Sequence, residues 1–131
     1  MKQVLNLTLK QKWLNVIASG EKKEEYRDCE HKQVQNAYLD AFNDPNFLGD
    51  RDKVVVFRNG YTMDSRALVV EIVGFDLRGR ENTRHPEWGE PKCRRLHLVV
   101  KLGNVLFKGK YKTAKTWLAS RKEAQSGART Y

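Results

Sequence analysis

The run Val54-Val55-Val56-Phe57 constrains this chain most. It is continuously apolar, short, and followed at once by Arg58-Asn59-Gly60-Tyr61, which reads as a turn. A run of that length and composition predicts a strand buried on both sides. A second strand is expected over residues 66–77, from Ala67 to Phe75, and it is apolar except for Glu71.

The other segments change period in a readable way. Residues 3–9 alternate, with Leu5, Leu7 and Leu9 separated by Asn6 and Thr8, which predicts a strand with one buried face. Trp13, Leu14, Ile17 and Ala18 then form a helical stripe over residues 10–19. Gly20 stands where a left-handed residue would end that helix. Residues 22–28 read as a strand carrying charge. Val34, Ala37, Tyr38, Ala41 and Phe42 give a second helical stripe over 31–43, ended by Asn43-Asp44-Pro45-Asn46. Residues 46–52 read as a polar loop. Residues 78–94 form a long loop containing His85-Pro86-Glu87-Trp88-Gly89-Glu90-Pro91; loops of that length are usually functional or disordered. A strand pair, Leu96–Val100 and Val105–Phe107, is expected around Gly103-Asn104. A short helix over 113–122 would dock Trp117 and Leu118, and a basic tail from Glu123 is expected to fray. The pattern predicts one α+β domain over residues 1–122, a small and mostly antiparallel sheet or barrel with flanking helices.

Charge narrows the partners. The 131 residues carry 25 Lys and Arg against 16 Asp and Glu, a formal charge of +9. That excess suits a polyanion, nucleic acid first, although it also serves general solubility. Cys29 and Cys93 are far apart and in no CxxC pair, which argues against a disulfide scaffold or a zinc site. His31, His85 and His97 share no metal-ligand spacing. No nucleotide-binding glycine loop, dinucleotide fingerprint or G-x-S-x-G elbow occurs, so neither metal nor cofactor is expected. The first residues are too short and polar for a signal peptide, and no apolar run approaches a membrane span. A cytoplasmic setting without membrane contact is therefore expected.

Gly20, Lys22, Glu25 and Arg27 match the motif G-x-K-x-x-E-x-R, by which the chain resembles the ASCH domains of phage and bacteria, a branch of the PUA-like β-barrel superfamily. Leu7-Thr8-Leu9-Lys10-Gln11-Lys12-Trp13 is similar to that family's strand-to-helix opening. Phe57-Arg58-Asn59-Gly60-Tyr61, Pro86-Glu87-Trp88-Gly89 and Leu102-Gly103-Asn104-Val105-Leu106 resemble later blocks. The resemblance covers roughly residues 4–107. It implies a barrel with a cleft lined by the motif, and an association with RNA. It also implies two possible activities, deacylation of a nucleoside such as N4-acetylcytidine and cleavage of RNA. In the deacylating branch the catalytic set is a Lys, a Thr three residues later and a Glu on a later strand. Lys22 matches the first and Glu71 looks like the third, but Glu25 stands at the Thr position, so that set does not transfer whole.

The candidate catalytic residues are thus Lys22, Glu25 and Glu71, and the candidate RNA- or nucleotide-binding residues are Arg27, Arg58, Asn59, Tyr61 and Trp88. Glu71 has two readings. It is either a carboxylate held at a cleft beside a cation, or a position where an edge or a pleat irregularity lets it reach water. Tyr61 and Trp88 are either stacking platforms for a base or packing residues. Trp13, on the helical stripe, reads as core. Three functions follow: RNA or nucleotide binding, hydrolysis of an acylated nucleoside, and cleavage of single-stranded RNA. Glu25 in place of a hydroxyl favours binding, or a different reaction.

Overall fold

The computed structural model describes residues 4–28, 31–43, 54–79, 86–88 and 96–128. Within them the chain forms strand β1 (Val4–Thr8), helix α1 (Gln11–Ala18), β2 (Glu24–Asp28), α2 (Lys32–Asn43), β3 (Val54–Arg58), β4 (Arg66–Gly79), a 3-10 turn at Pro86–Trp88, β5 (Leu96–Lys110) and α3 (Tyr111–Ala128). Cys29, Cys93, His85, the polar loop at 46–52 and residues 80–85 and 89–94 of the expected 78–94 loop lie outside the described residues, and Arg78 and Gly79, expected in that loop, belong to β4. Among the described residues no helix is long and apolar enough to cross a membrane.

The strands form one five-stranded sheet in the order β1-β3-β4-β5-β2. β1 runs parallel to β3, and the other neighbours are antiparallel. The fold class is α+β with a mixed sheet. Its ladder is open, with β1 and β2 at opposite edges. In a flat sheet those edges would lie about 19 Å apart, four strand spacings. Yet Nη2 of Arg27 on β2 donates to the Thr8 carbonyl on β1 at 2.8 Å. The sheet therefore curls until its edges come within reach of one side chain. Register shifts at Val69/Val70, Val70/Ile72 and Ile72/Gly74 of β4 supply bends for that curl.

Both faces of the sheet are covered. On the first, Leu5, Leu7, Val55, Phe57, Leu68, Val70, Leu98 and Val100 pack against Leu14 and Ile17 of α1 and Val34 of α2. On the second, Val54, Val56, Ala67 and Val69 pack against Ala114 of α3, with Trp117 and Leu118 closing the cluster. The double burial expected of Val54–Phe57 is met: Val55 and Phe57 face one core, and Val54 and Val56 the other.

Two expectations need correction. The last strand pair is a single strand, β5, running unbroken from Leu96 to Lys110. Gly103-Asn104 is an irregularity in its pairing with β4, since Ile72 pairs with Leu102 and Val70 with Val105. Gly103 is needed there, because a Cβ would come within 2.8 Å of Val73 Cγ1. The last helix is also longer at both ends than 113–122, and its helical course takes in residues 123–128.

Candidate functional site

Gly20 starts the site. It adopts φ 85°, a left-handed conformation that costs glycine little, and a Cβ there would meet nothing within 4 Å. The requirement is on the backbone and not on space. Around it the chain turns tightly, with Gly20 N–H bonded to the Ile17 carbonyl at 3.0 Å and Lys22 N–H to Val16 at 3.3 Å. This turn sends the Lys22 side chain inward, ahead of β2.

Lys22 is 2% exposed, among the largest fully buried side chains of the protein. Its ammonium group lies 3.2 Å from Glu25 Oε1, donates to the backbone carbonyl of Trp88, and sits 4.5 Å from the Trp13 ring centroid. A buried charge needs such partners, and the ring supplies a third through its quadrupole. Burial pushes the Lys22 pKa below its ordinary value, while the Glu25 carboxylate opposes that shift.

Glu25 is itself 5% exposed. Oε1 accepts from Lys22 and from the Tyr26 N–H at 3.1 Å, and Oε2 accepts from Arg27 Nη2 at 3.1 Å. Glu25 and Arg27 pair with Val100 and Leu98, so both project to the first face of the sheet, beside the main core. Arg27 then joins Glu25 to the Thr8 carbonyl. Its Nε is buried and makes no hydrogen bond. The three charges sum to one positive charge.

The structure thus brings Lys22, Glu25 and Arg27 together with the backbone of Trp88, and adds two members that the pattern did not mark. Trp13 is half-buried, and its ring centroid lies 4.8 Å from the Lys12 ammonium group as well as near that of Lys22. Reading it as core is corrected: it sits at the margin of the α1 stripe, where Leu14 and Ile17 alone are fully buried. The Thr8 carbonyl, a main-chain group, left no mark in the sequence. Asn59 flanks the site, its amide donating to Gln11 Oε1 at the start of α1, and the Leu9 N–H bonds to the Arg58 carbonyl at 2.8 Å.

Three expected members stand elsewhere. Glu71 pairs with Val54, so it belongs to the second face, opposite Glu25. It is half-exposed beside the β4 irregularity, and Oε1 accepts the Asn104 N–H at 3.1 Å. The structure does not bring it to Lys22. Arg58 stacks on Tyr111 of α3, 3.5 Å from the ring centroid, and donates to the Thr62 carbonyl. Tyr61 is 85% exposed on the turn after β3. A cavity of about 210 Å³ lies away from the motif as well, lined by Asn6, Val56, Tyr111, Lys115 and Leu118.

A second polar cluster escaped the sequence. Arg78 forks onto both Glu24 oxygens, at 2.7 and 3.0 Å, and its Nε donates to Asp76 at 2.8 Å. The Tyr26 hydroxyl donates to Glu24 Oε1 at 3.0 Å, and its ring meets buried His97 edge-on at 5.5 Å. Burial, then the Arg78 charge, hold the His97 pKa below its ordinary value. These groups are held by each other, which marks a structural network. Among the described residues no group of His, Cys, Asp and Glu could hold a metal ion.

No family model, curated protein or solved structure matches the chain significantly. The reading of function therefore rests on the residues themselves.

Proposed function

We propose that this chain is an RNA- or nucleotide-binding domain of the ASCH type, acting in the cytoplasm, with Lys22, Glu25 and Arg27 as the floor of its ligand site. One observation carries the reading: an ion triad of net charge +1, with Lys22 and Glu25 buried and the Arg27 side chain 20% exposed, holds a guanidinium Nε–H with no acceptor. A buried donor left without a partner costs roughly 1–3 kcal/mol. A phosphate or base carbonyl oxygen that met the exposed part of Arg27, with a small shift of the side chain to uncover Nε, would relieve that cost and suits the net charge. The reach of Arg27 from β2 to Thr8 on β1 supports the closely curled sheet of the PUA-like barrel that this resemblance implies. Trp13 and the Trp88 backbone orient the triad.

Titration with mononucleotides and with N4-acetylcytidine tests the proposal. Arg27→Lys keeps the charge and removes the Nε–H, so affinity should fall about tenfold or more, as for loss of a charged hydrogen bond. Circular dichroism checks that the variant remains folded. Equal affinity in both proteins, or no binding by the wild type, would overturn the reading.

Hydrolysis of an acylated nucleoside is the second reading, favoured by the burial that lowers the Lys22 pKa. A lysine acts as base or nucleophile only when its neutral form is accessible. The carboxylate in contact with it is Glu25, so the chemistry would rest on Lys22 and Glu25 and not on Glu71. Release of cytidine from N4-acetylcytidine is the direct assay. RNA cleavage gains no support from the geometry beyond that for binding.

A further inference from the structure

We propose a second ligand surface at the β4–β5 end of the sheet, where Arg66, Lys108, Lys110, Lys112, Lys115 and Tyr61 dock the backbone of a single-stranded nucleic acid. It lies outside the Lys22 site and rests on the same nucleic-acid reading. All five cations are exposed. Arg66 stands directly opposite Lys110 in the ladder, and Lys108 lies two residues before it on β5. Like charges facing each other across strands destabilise a sheet unless an anion lies between or over them. Among the described residues Asp64 answers them, 3.1 Å from Lys112 and 3.8 Å from Lys110. One carboxylate leaves the patch strongly positive.

The spacing suits a strand. Lys108 and Lys110 are about 6.8 Å apart along β5, close to the step between phosphates in an extended single strand. Lys112 on α3 is joined to Lys110 through Asp64, and Lys115 follows three residues later on the same helix.

Tyr61 supplies the stacking element. Its turn is pinned, not loose: Tyr111 N–H bonds to the Ser65 carbonyl at 2.8 Å, Lys112 N–H to Met63 at 2.9 Å, and Arg58 Nη2 to Thr62 at 2.9 Å. Those bonds seat the turn on the start of α3, beside the cations. The ring nevertheless stands 85% exposed. An aromatic ring left in water on a pinned turn beside cations is what sequence-tolerant strand binders use for base stacking.

Anisotropy of a short labelled oligonucleotide, titrated between about 50 and 200 mM salt, tests the surface. Replacing Lys110 and Lys112 together by Ala should flatten the plot of log K against log salt by about 1.4, roughly 0.7 for each phosphate no longer neutralised. Tyr61→Ala should weaken binding about fivefold or more while leaving the slope unchanged. The same losses are expected with RNA and DNA strands, because phosphate and base-face contacts do not read the 2′-hydroxyl. Mononucleotide binding should be unaltered in the Lys110/Lys112 variant, so failure here is separable from failure at the Lys22 site. An unchanged salt slope in that variant would overturn the proposal. So would a patch whose loss abolishes binding to anionic vesicles and spares the oligonucleotide.

Discussion

Replacing Lys22 by Met isolates the buried ammonium group. Met keeps most of the aliphatic stem that packs near Trp13 and removes the charge. It leaves Glu25, 5% exposed, with the Arg27 guanidinium and the Tyr26 N–H as its remaining partners. Breaking a buried pair from one side costs about 3–5 kcal/mol. Arg27 still answers Glu25, so the low end applies, about 3 kcal/mol, or roughly 10 °C in Tm for a domain of this size. The pH dependence gives a sharper signature. The folded-state pKa of Lys22 lies below the ordinary 10.5, because burial opposes the charge. Between that lowered value and 10.5 the unfolded chain binds more protons than the folded one, so the Lys22 contribution to stability rises with pH across the window. Below the window both states are protonated and the contribution is flat. The variant lacks this rise. Tyr26 works in the other direction: burial and the Glu24 hydrogen bond raise its pKa, so its contribution falls as pH climbs past 10.0. Tyr26 is present in both proteins and cancels in the difference. Urea denaturation at a series of alkaline pH values should therefore show the gap between wild type and Lys22→Met widening up to 10.5. Parallel pH profiles would refute the account of Lys22 as a desolvated cation.

Gly20→Ala should cost about 1–2 kcal/mol through its positive φ alone, since no atom obstructs the new methyl, and denaturant midpoints would register it. Gly103→Ala should cost about 1–3 kcal/mol by overpacking against Val73 and Glu71. Shortening Val73 to Ala in that background should recover part of the loss, and additive losses would count against the crowding argument. Arg78→Lys should destabilise by about 2 kcal/mol, because an ammonium cannot fork onto both Glu24 oxygens and reach Asp76 as well. Calorimetry would measure it, and an unchanged Tm would mean that the network contributes nothing net.

The sequence carried the local elements and the local part of the site. Alternation at 3–9 and the stripes around Ile17 and Val34 correspond to β1, α1 and α2, because each element must turn one apolar side to a shared core. Lys22, Glu25 and Arg27 were legible as a unit because they lie within one turn and one strand. What the sequence hid was made by distance or by ambiguity. Arg78 and Glu24 are 54 positions apart, and no local pattern joins them. Gly103-Asn104 carries the same glycine signal whether it ends a strand in a hairpin or lets one strand bulge past its partner. Trp13 satisfies the helical stripe and yet presents its ring to two ammonium groups.

Glu71 shows why the face of a residue matters more than its company in the sequence. Val69, Glu71 and Val73 do alternate together, and Val69 is fully buried, which invites a buried reading of all three. The second apolar cluster, however, extends along β4 only through Ala67 and Val69. Beyond it Val73 is 50% exposed and Glu71 half-exposed, so the carboxylate reaches water without needing a cation. Past the register shift at Ile72/Gly74 the alternation inverts. Phe75 now turns to the first core, where it meets Tyr38 edge-on, and Asp76 and Arg78 take the other face. A strand carrying such shifts sends residues of one sequence parity to different faces. A catalytic set drawn across it by parity alone would unite groups on opposite sides of the sheet. Lys22 and Glu25 escape this hazard, because only two residues separate them and the pairing of β2 with β5 runs in one unbroken register.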